Sequence, residues 1–123
     1  MKALGGRLTT IQPGSVEIEL PYSDLTTQQH GYFHAAAIAA VSDNAGGYAA
    51  LTLMEPDEEV VAAEFKINLL RPAVGSRIVA TANVIRAGRT LVISEATVTA
   101  VVEDQLVRVA MMLQTNCRVR MSR

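Results

Sequence analysis

One acidic side chain, Asp43, lies near the middle of an otherwise apolar segment and is the first candidate for chemistry. The segment from His30 to Ala50 reads HGYFHAAAIAAVSDNAGGYAA and consists mainly of alanine and other small or apolar residues. Few neighbours along it can solvate a carboxylate, and burying an unpaired carboxylate is costly. Asp43 is therefore either a functional base or nucleophile, or a structural acid paired with a buried partner.

Two histidines flank the turn that leads into this segment. His34 lies directly before it, where it can hydrogen-bond backbone and set the turn, and His30 is predicted to be a turn residue. Two histidines, the single cysteine Cys117 and scattered acids do not have the spacing of metal ligands. The sequence therefore predicts neither a metal nor another cofactor.

The composition is that of an ordinary globular protein. The chain has 123 residues, 50% hydrophobic and 19% charged, with a formal net charge of -1. This length predicts one domain, residues 1–123. The near-neutral charge argues against a nucleic-acid partner, and no apolar run approaches the length of a membrane helix. The single cysteine and the absence of a signal-like segment favour the cytoplasm.

The segment around Asp43 is predicted to be the one long helix, from Ala35 to about Leu53. Gly46 and Gly47 each cost roughly 1 kcal/mol in a helix interior. We expect them to permit close approach of a sheet or of a second helix. A helix this apolar is expected to be buried.

The rest of the chain alternates between polar and apolar residues, as strands do. In the segment EFKINL, alternation places Phe65, Ile67 and Leu69 on the inward face. Turns are predicted near Ala87-Gly88-Arg89 and at Glu103-Asp104. The fold class is α+β, one long central helix wrapped by an antiparallel sheet of about five to six strands, and the five predicted strands are Ser15–Leu20, Glu64–Leu69, Arg77–Arg86, Thr90–Ala100 and Gln105–Thr115.

This pattern resembles the hotdog fold and, within it, the PaaI-like acyl-CoA thioesterases. That family has an amide residue, then His-Gly-Gly, then an acid nine residues after the histidine. Here Gln28, His34-Ala35-Ala36 and Asp43 occupy those positions. The segments EFKINLLRPA and VIRAGRT resemble the family's later strand and hairpin, so the resemblance spans nearly the whole chain.

The resemblance implies hydrolysis of an acyl-CoA or related thioester. Asp43 would be the base or nucleophile, the N–H of Ala35 would stabilise the oxyanion, Gln28 would orient the carbonyl or the water, and His34 would hold the turn. Arg89 beside Gly88 would meet a phosphate of coenzyme A, which is substrate here rather than cofactor. The residues implied to contact coenzyme A are Gly88, Arg89, Arg71 and Asn68.

Two departures from the family pattern stand out. Both glycines after the histidine are alanine here. A hydroxyl residue that is proposed to hold water in the family would fall at Ala62, so its contact is missing. Thr81, Thr97 or a bound water are the candidates to replace it.

Helix geometry separates the two halves of the implied site. Ala35 and Asp43 are eight residues apart, which is about 12 Å along a helix at 1.5 Å per residue. One chain therefore cannot bring both to the same carbonyl, whereas two antiparallel helices about a two-fold axis can. We expect a homodimer or a dimer of dimers. The alternatives are a non-catalytic acyl-CoA-binding domain and a hotdog hydratase or dehydratase.

Overall fold

Six antiparallel strands and one long helix account for most of residues 1–121. A computed structural model describes residues 1–121, and for Lys2 it describes the backbone alone. A short 3-10 turn, Lys2–Leu4, precedes the first strand. The remaining elements are β1 Arg7–Gln12, β2 Ser15–Pro21, α1 Ala35–Leu51, β3 Glu58–Leu69, β4 Arg77–Ala87, β5 Leu91–Val102 and β6 Gln105–Arg120.

The strands form one sheet in the order β1-β2-β4-β5-β6-β3. Every neighbouring pair is antiparallel. Helix α1 follows β2, and the chain then enters β3 at the far edge of the sheet beside β6. The helix thus crosses the inner face of the sheet, which confirms the predicted hotdog arrangement.

Alanine and valine side chains at four-residue intervals pack the helix against the sheet. Ala37, Val41, Ala45 and Ala49 are 0–4% exposed. They pack with inward side chains of β2, β4 and β5, including the fully buried Ile78. Burying a side chain such as isoleucine contributes about 1.5–3 kcal/mol. The opposite face of the helix is only partly covered, so the expectation of burial all round is met on one face only.

The predicted elements are present, with shifted limits. The helix ends at Leu51 rather than Leu53, because the chain turns there and the Thr52 hydroxyl donates to the carbonyl of Ala49. Strand β3 begins six residues earlier than predicted, and β6 runs five residues further. Strand β1 was not predicted. All six of its residues are exposed and a bulge after Leu8 interrupts its alternation.

The exposed edge strand β3 departs from the expected burial. Ile67 packs against the core as predicted, but Phe65 and Leu69 are 43% and 52% exposed. Their side chains share the inward face of β3, yet no strand lies beyond it in the sheet of residues 1–121. The two tight turns are as predicted: Glu103 and Asp104 have φ of 48° and 67°, and Gly88 donates to Leu91 across the other hairpin.

Candidate active site

The carboxylate of Asp43 is held by a glutamine from the opposite end of the sequence. Asp43 is half-buried in the middle of α1. Gln114, fully buried on β6, donates from Nε2 to Asp43 Oδ1 at 2.6 Å and to the Asp43 carbonyl at 3.2 Å. Gln114 thereby occupies Oδ1, and Oδ2 is the carboxylate oxygen left for a ligand.

Gly46 makes this approach of Gln114 possible. A Cβ on Gly46 would collide with Gln114 Oε1 and would lie 3.0 Å from Met112 Cε. A glycine in a helix interior lowers helix stability by about 1 kcal/mol. At Gly46 this loss permits close packing against β6, as predicted. Gly47 differs, because a Cβ there would meet nothing within 4 Å. Its face of the helix is open in the single chain.

A buried chain of hydrogen bonds continues from Gln114 into the sheet. Asn116 Nδ2 donates to Gln114 Oε1 at 3.1 Å and lies 3.4 Å from Ser94 Oγ. The hydroxyl of Ser94 donates to the carbonyl of Gly46 at 3.1 Å, which returns the chain to α1. The side chains of Ser94, Gln114 and Asn116 are fully buried.

Sequence reasoning missed these three polar residues, although a signal was present. Ser94, Gln114 and Asn116 occupy inward positions of strands whose neighbouring inward residues are apolar, such as Val92 and Met112. Buried polar groups need partners, so polar residues on the inward face of a strand point to a network. The expectation that Asp43 has few polar neighbours holds along the helix and is wrong in three dimensions.

Asp43 opens onto a cavity of about 170 Å³, which we call the Asp43 cavity. Helix α1, the start of β3 and the end of β6 form its walls. Tyr48 is its other titratable lining residue. The full lining is Asp43, Asn44, Gly47, Tyr48, Val60, Ala62 and Asn116.

The first turn of α1 presents unpaired backbone donors. His34 has extended backbone angles (φ −61°, ψ 142°) and its side chain makes no capping hydrogen bond. The first helical hydrogen bond runs from Ile38 N–H to the His34 carbonyl, so the N–H groups of Ala35 and Ala36 precede the helical ladder. Both alanines are exposed, and their N–H groups lie at the positive end of the helix dipole.

Backbone contacts, rather than the imidazole, hold His34 in place. Its N–H donates to the Thr26 carbonyl at 2.8 Å, and the preceding Phe33 N–H donates to Ala73 at 2.9 Å. The His34 residue itself is exposed. His34 thus sets the entry into the helix through its main chain.

Gln28 and Ala35 share a second cavity of about 360 Å³, the Ala35 cavity. Gln28 Oε1 accepts a hydrogen bond from the N–H of His30 and closes the turn there, in which His30 was predicted to lie. The Nε2 donor of Gln28 is therefore the side-chain group available to a ligand. Arg71 also lines this cavity, which shares no lining residue with the Asp43 cavity.

Arg118 fixes the hairpin that carries Gly88 and Arg89. Its Nε donates to the Gly88 carbonyl at 2.9 Å, and its Nη1 lies 3.1 Å from Glu58 Oε1. The N–H of Glu55, together with Arg118, holds the pKa of the Glu58 carboxyl below its ordinary value. Arg89 is exposed at the tip of this hairpin.

Three residues named from the sequence lie on the outer face of the sheet. Asn68 lines an outer cavity with Glu95 and Met111, away from both cavities beside the helix. Thr81 and Thr97 pair with each other at half-buried positions, and the residues on either side of each threonine are buried and apolar. Neither threonine can replace the hydroxyl that is missing at Ala62, since that residue lines the inner Asp43 cavity.

One long helix laid across a six-stranded antiparallel sheet defines a hotdog fold. The model of the thioesterase superfamily matches residues 30–106, which is more than half of the chain. The chain belongs to this superfamily. Among residues 1–121, no helix has the length and apolar character needed to cross a membrane.

Two curated relatives carry hydrolase names. A Saccharolobus solfataricus protein with a provisional esterase name is 31% identical over 94 residues, which are 76% of this chain and 66% of that protein. The match thus spans just under two thirds of that relative. The 1,4-dihydroxy-2-naphthoyl-CoA hydrolase of Listeria monocytogenes is 25% identical over 105 residues, 85% of each chain.

Solved structures extend the likeness over nearly the full chain. A thioesterase family protein from Silicibacter pomeroyi is 41% identical with a TM-score of 0.96, covering 98% of this chain and 89% of that one. The Escherichia coli PaaI protein has a TM-score of 0.83 at 23% identity, covering 96% and 82%. The PaaI-like hotdog resemblance seen in the sequence is confirmed in family and fold.

Proposed function

We propose that the protein hydrolyses an acyl-CoA thioester to a free acid and coenzyme A, at a site that two chains build together. One observation carries this proposal. The free N–H groups at the start of α1 and the carboxylate of Asp43 lie on the same helix but open into separate cavities. Antiparallel packing of two such helices would place Ala35 of one copy opposite Asp43 of the other.

The surface of the single chain supports such an assembly. Along α1, Gly47 has open space where a Cβ would be, and Tyr48 is 45% exposed. Beside the helix, β3 is an edge strand with exposed Phe65 and Leu69 on its inward face. Edge strands of this length are normally covered or paired. A second copy would cover the strand and the helix face together.

The chemistry follows from the donors and the acceptor. The thioester carbonyl oxygen would accept hydrogen bonds from the N–H groups of Ala35 and Ala36, which stabilise the charge that develops there. Gln28 Nε2 would orient that carbonyl or the water. Asp43 of the other copy would then act through Oδ2, either by taking a proton from water or by attacking the carbonyl carbon. In both routes the carbon–sulfur bond breaks and the thiolate leaves. After direct attack, water would then hydrolyse the anhydride formed between the acyl group and Asp43, which releases the acid.

The coenzyme A moiety would lie along the exposed cations near the two cavities. Arg89 projects from the hairpin tip beside Gly88, where a mobile cation can reach a phosphate, and Arg71 lines the Ala35 cavity. Asn68 lies on the outer face of β3 and would contact coenzyme A only past the strand edge. Among these four residues, we expect Arg89 to contact the nucleotide end of coenzyme A.

A thiol-release assay over a panel of acyl-CoA substrates tests this function. We expect release of free coenzyme A from at least one aliphatic or aromatic acyl-CoA. Binding of an acyl-CoA without thiol release would instead indicate a non-catalytic binding domain. Addition of water to an enoyl-CoA without thiol release would indicate a hydratase. Either of these results would contradict the proposal.

A further inference from the structure

One buried polar atom beside Asp43 has no partner in the described chain. Asn116 is fully buried, and its Oδ1 makes no hydrogen bond within residues 1–121. Leaving a buried carbonyl oxygen unsatisfied costs about 1–3 kcal/mol. Native proteins keep few such groups, and an orphaned acceptor calls for a specific reason.

The carboxylate of Asp43 dictates which atom of Asn116 is orphaned. An ionised carboxylate only accepts hydrogen bonds, so Gln114 must turn Nε2 towards it and Oε1 towards Asn116. Asn116 therefore turns Nδ2 towards Gln114, Ser94 and Val92. Rotating the amide of Asn116 by half a turn would place its oxygen against the Gln114 and Val92 carbonyl oxygens, and Ser94 could donate to it only by giving up its hydrogen bond to Gly46. The orphaned acceptor is thus a consequence of the charge on Asp43.

The position of Asn116 places this acceptor beside the Asp43 cavity, which Asn116 lines. Ser94 and Val92, which face Nδ2, belong to β5 on one side of β6. The two heteroatoms of an amide lie on opposite sides of its carbon, so we infer that Oδ1 lies on the side of β3, where Ala62 is the cross-strand partner of Asn116. Asn116, Ala62 and Asp43 line the same cavity. Ala62 has no polar side-chain atom, so Asn116 supplies the acceptor on this wall.

We propose that Asn116 Oδ1 and Asp43 Oδ2 together hold the water that attacks the thioester, with Gln114 as the residue that positions both. This inference rests on the proposed thioesterase function. The water donates one hydrogen bond to each oxygen and directs a lone pair at the carbonyl carbon. Asp43 takes a proton as the carbon–oxygen bond forms. The carbon–sulfur bond then breaks, and the proton passes from Asp43 to the departing thiolate. Asn116 exchanges no proton.

Asn116→Leu tests the water site, because leucine keeps a branched side chain of similar size and lacks the acceptor. We expect kcat to fall on the order of 10- to 100-fold, as misplacement of a reacting group does, with KM little changed. Thr115→Val is the matched control. Thr115 is the neighbouring residue of β6, and its hydroxyl donates to Glu64 on the outer face at 2.7 Å. The control should keep the parental kcat.

A second substitution separates water binding from a purely structural role. Ala62→Thr in the Asn116→Leu background restores a hydroxyl on the facing strand, in the same cavity. We expect it to recover kcat by about tenfold without a matching rise in thermal midpoint, since one hydroxyl replaces the lost acceptor. A merely structural Asn116 would not be rescued from across the strand, so a kcat that stays low in the double variant overturns the inference.

The remaining outcomes distinguish this inference from the function on which it rests. Parental kcat in Asn116→Leu, beside an inactive Asp43→Asn, would overturn the water site and leave the thioesterase assignment intact. A parent protein that releases no thiol from any acyl-CoA would overturn both. A fall in kcat that is confined to Asn116→Leu and reversed by Ala62→Thr supports both.

Discussion

Gln114 Nε2 lies 2.6 Å from Asp43 Oδ1, and 71 positions of sequence separate the two residues. The hydrogen bond joins the last strand to the middle of the helix. It satisfies one oxygen of the carboxylate and presents the other to the Asp43 cavity. The conformation of the candidate catalytic acid is therefore determined by the inner face of the sheet as much as by its own helix.

Gln114→Met should impair catalysis while keeping the fold. Methionine fills a similar volume but cannot donate to Asp43, and a hydrogen bond to a charged group contributes about 1.5–3 kcal/mol. We expect kcat to fall by about tenfold with KM nearly unchanged, because the carboxylate loses its fixed orientation. Steady-state kinetics and thermal midpoints should be compared with Gln105→Met, which alters an exposed glutamine on the same strand. Equal kinetics in the two variants would contradict the positioning role.

Asp43→Asn should abolish most of the activity. Asparagine can still accept from Gln114, so the network is retained while the charge and the basicity are lost. We expect kcat to fall on the order of a hundredfold or more, with little change in KM. Asp104→Asn, in an exposed turn at positive φ, is the control and should be fully active. An active Asp43→Asn would return Asp43 to a structural role.

Gly46→Ala should destabilise the protein although alanine favours helix. The added methyl group would collide with Gln114 Oε1 and press on Met112, and overpacking of this kind costs about 1–3 kcal/mol. Urea unfolding gives the free energy of unfolding. In a Gln114→Ala background the collision with Oε1 disappears and the contact with Met112 remains, so the same substitution should cost less there. An equal loss in both backgrounds would rule out the collision as its cause.

Mixing two inactive variants should restore activity if the site is shared between chains. Ala35→Pro removes the N–H at the first helical position, where proline fits the helix and the extended backbone of His34. Co-refolding this variant with Asp43→Asn leaves one intact site in each mixed dimer. Random pairing predicts about a quarter of the parental activity per chain.

Two results would contradict the shared site. One is an active monomer in light scattering at the assay concentration, and the other is no recovery in the mixture although mixed dimers form. Ala35→Gly serves as the control for the helix start because it keeps the N–H. It should retain most of the parental activity.

Arg89→Ala should raise KM for an acyl-CoA more than for the matching pantetheine thioester, which lacks the nucleotide. Arg89 is exposed at the hairpin tip, so its loss leaves the core untouched. We expect a change of several-fold in KM, as for an exposed ion pair worth up to about 1 kcal/mol. Arg108→Ala is the control, because Arg108 is an exposed cation near the start of β6. Equal effects on the two substrates would show that Arg89 does not contact the nucleotide.

Local patterns in the sequence were sufficient for the helix, five of the six strands in outline, and the turns. Alanine content placed the start of α1 at Ala35, and alternation placed Ile67 on the core side of β3. These features depend on residues close together in the chain, whose periodicity is visible in one dimension. The six-residue strand β1 was not predicted, because an exposed, bulged edge strand shows no alternation between buried and exposed residues.

The sequence by itself also determined that Asp43 is the candidate catalytic carboxylate. It further determined that Asp43 lies eight residues beyond Ala35, the first residue of its helix. Helix geometry places the two too far apart to act on the same carbonyl within one chain. Only the tertiary structure decided what surrounds that carboxylate. The register of β6 brings Gln114 and Asn116 under the helix, Gly46 opens the space they need, and Ser94 closes the chain of hydrogen bonds. The hydrogen bonds of Gln114 with Asp43 and of Ser94 with Gly46 join residues 71 and 48 positions apart. A contact set by strand order and register leaves no periodic trace in the segments it connects.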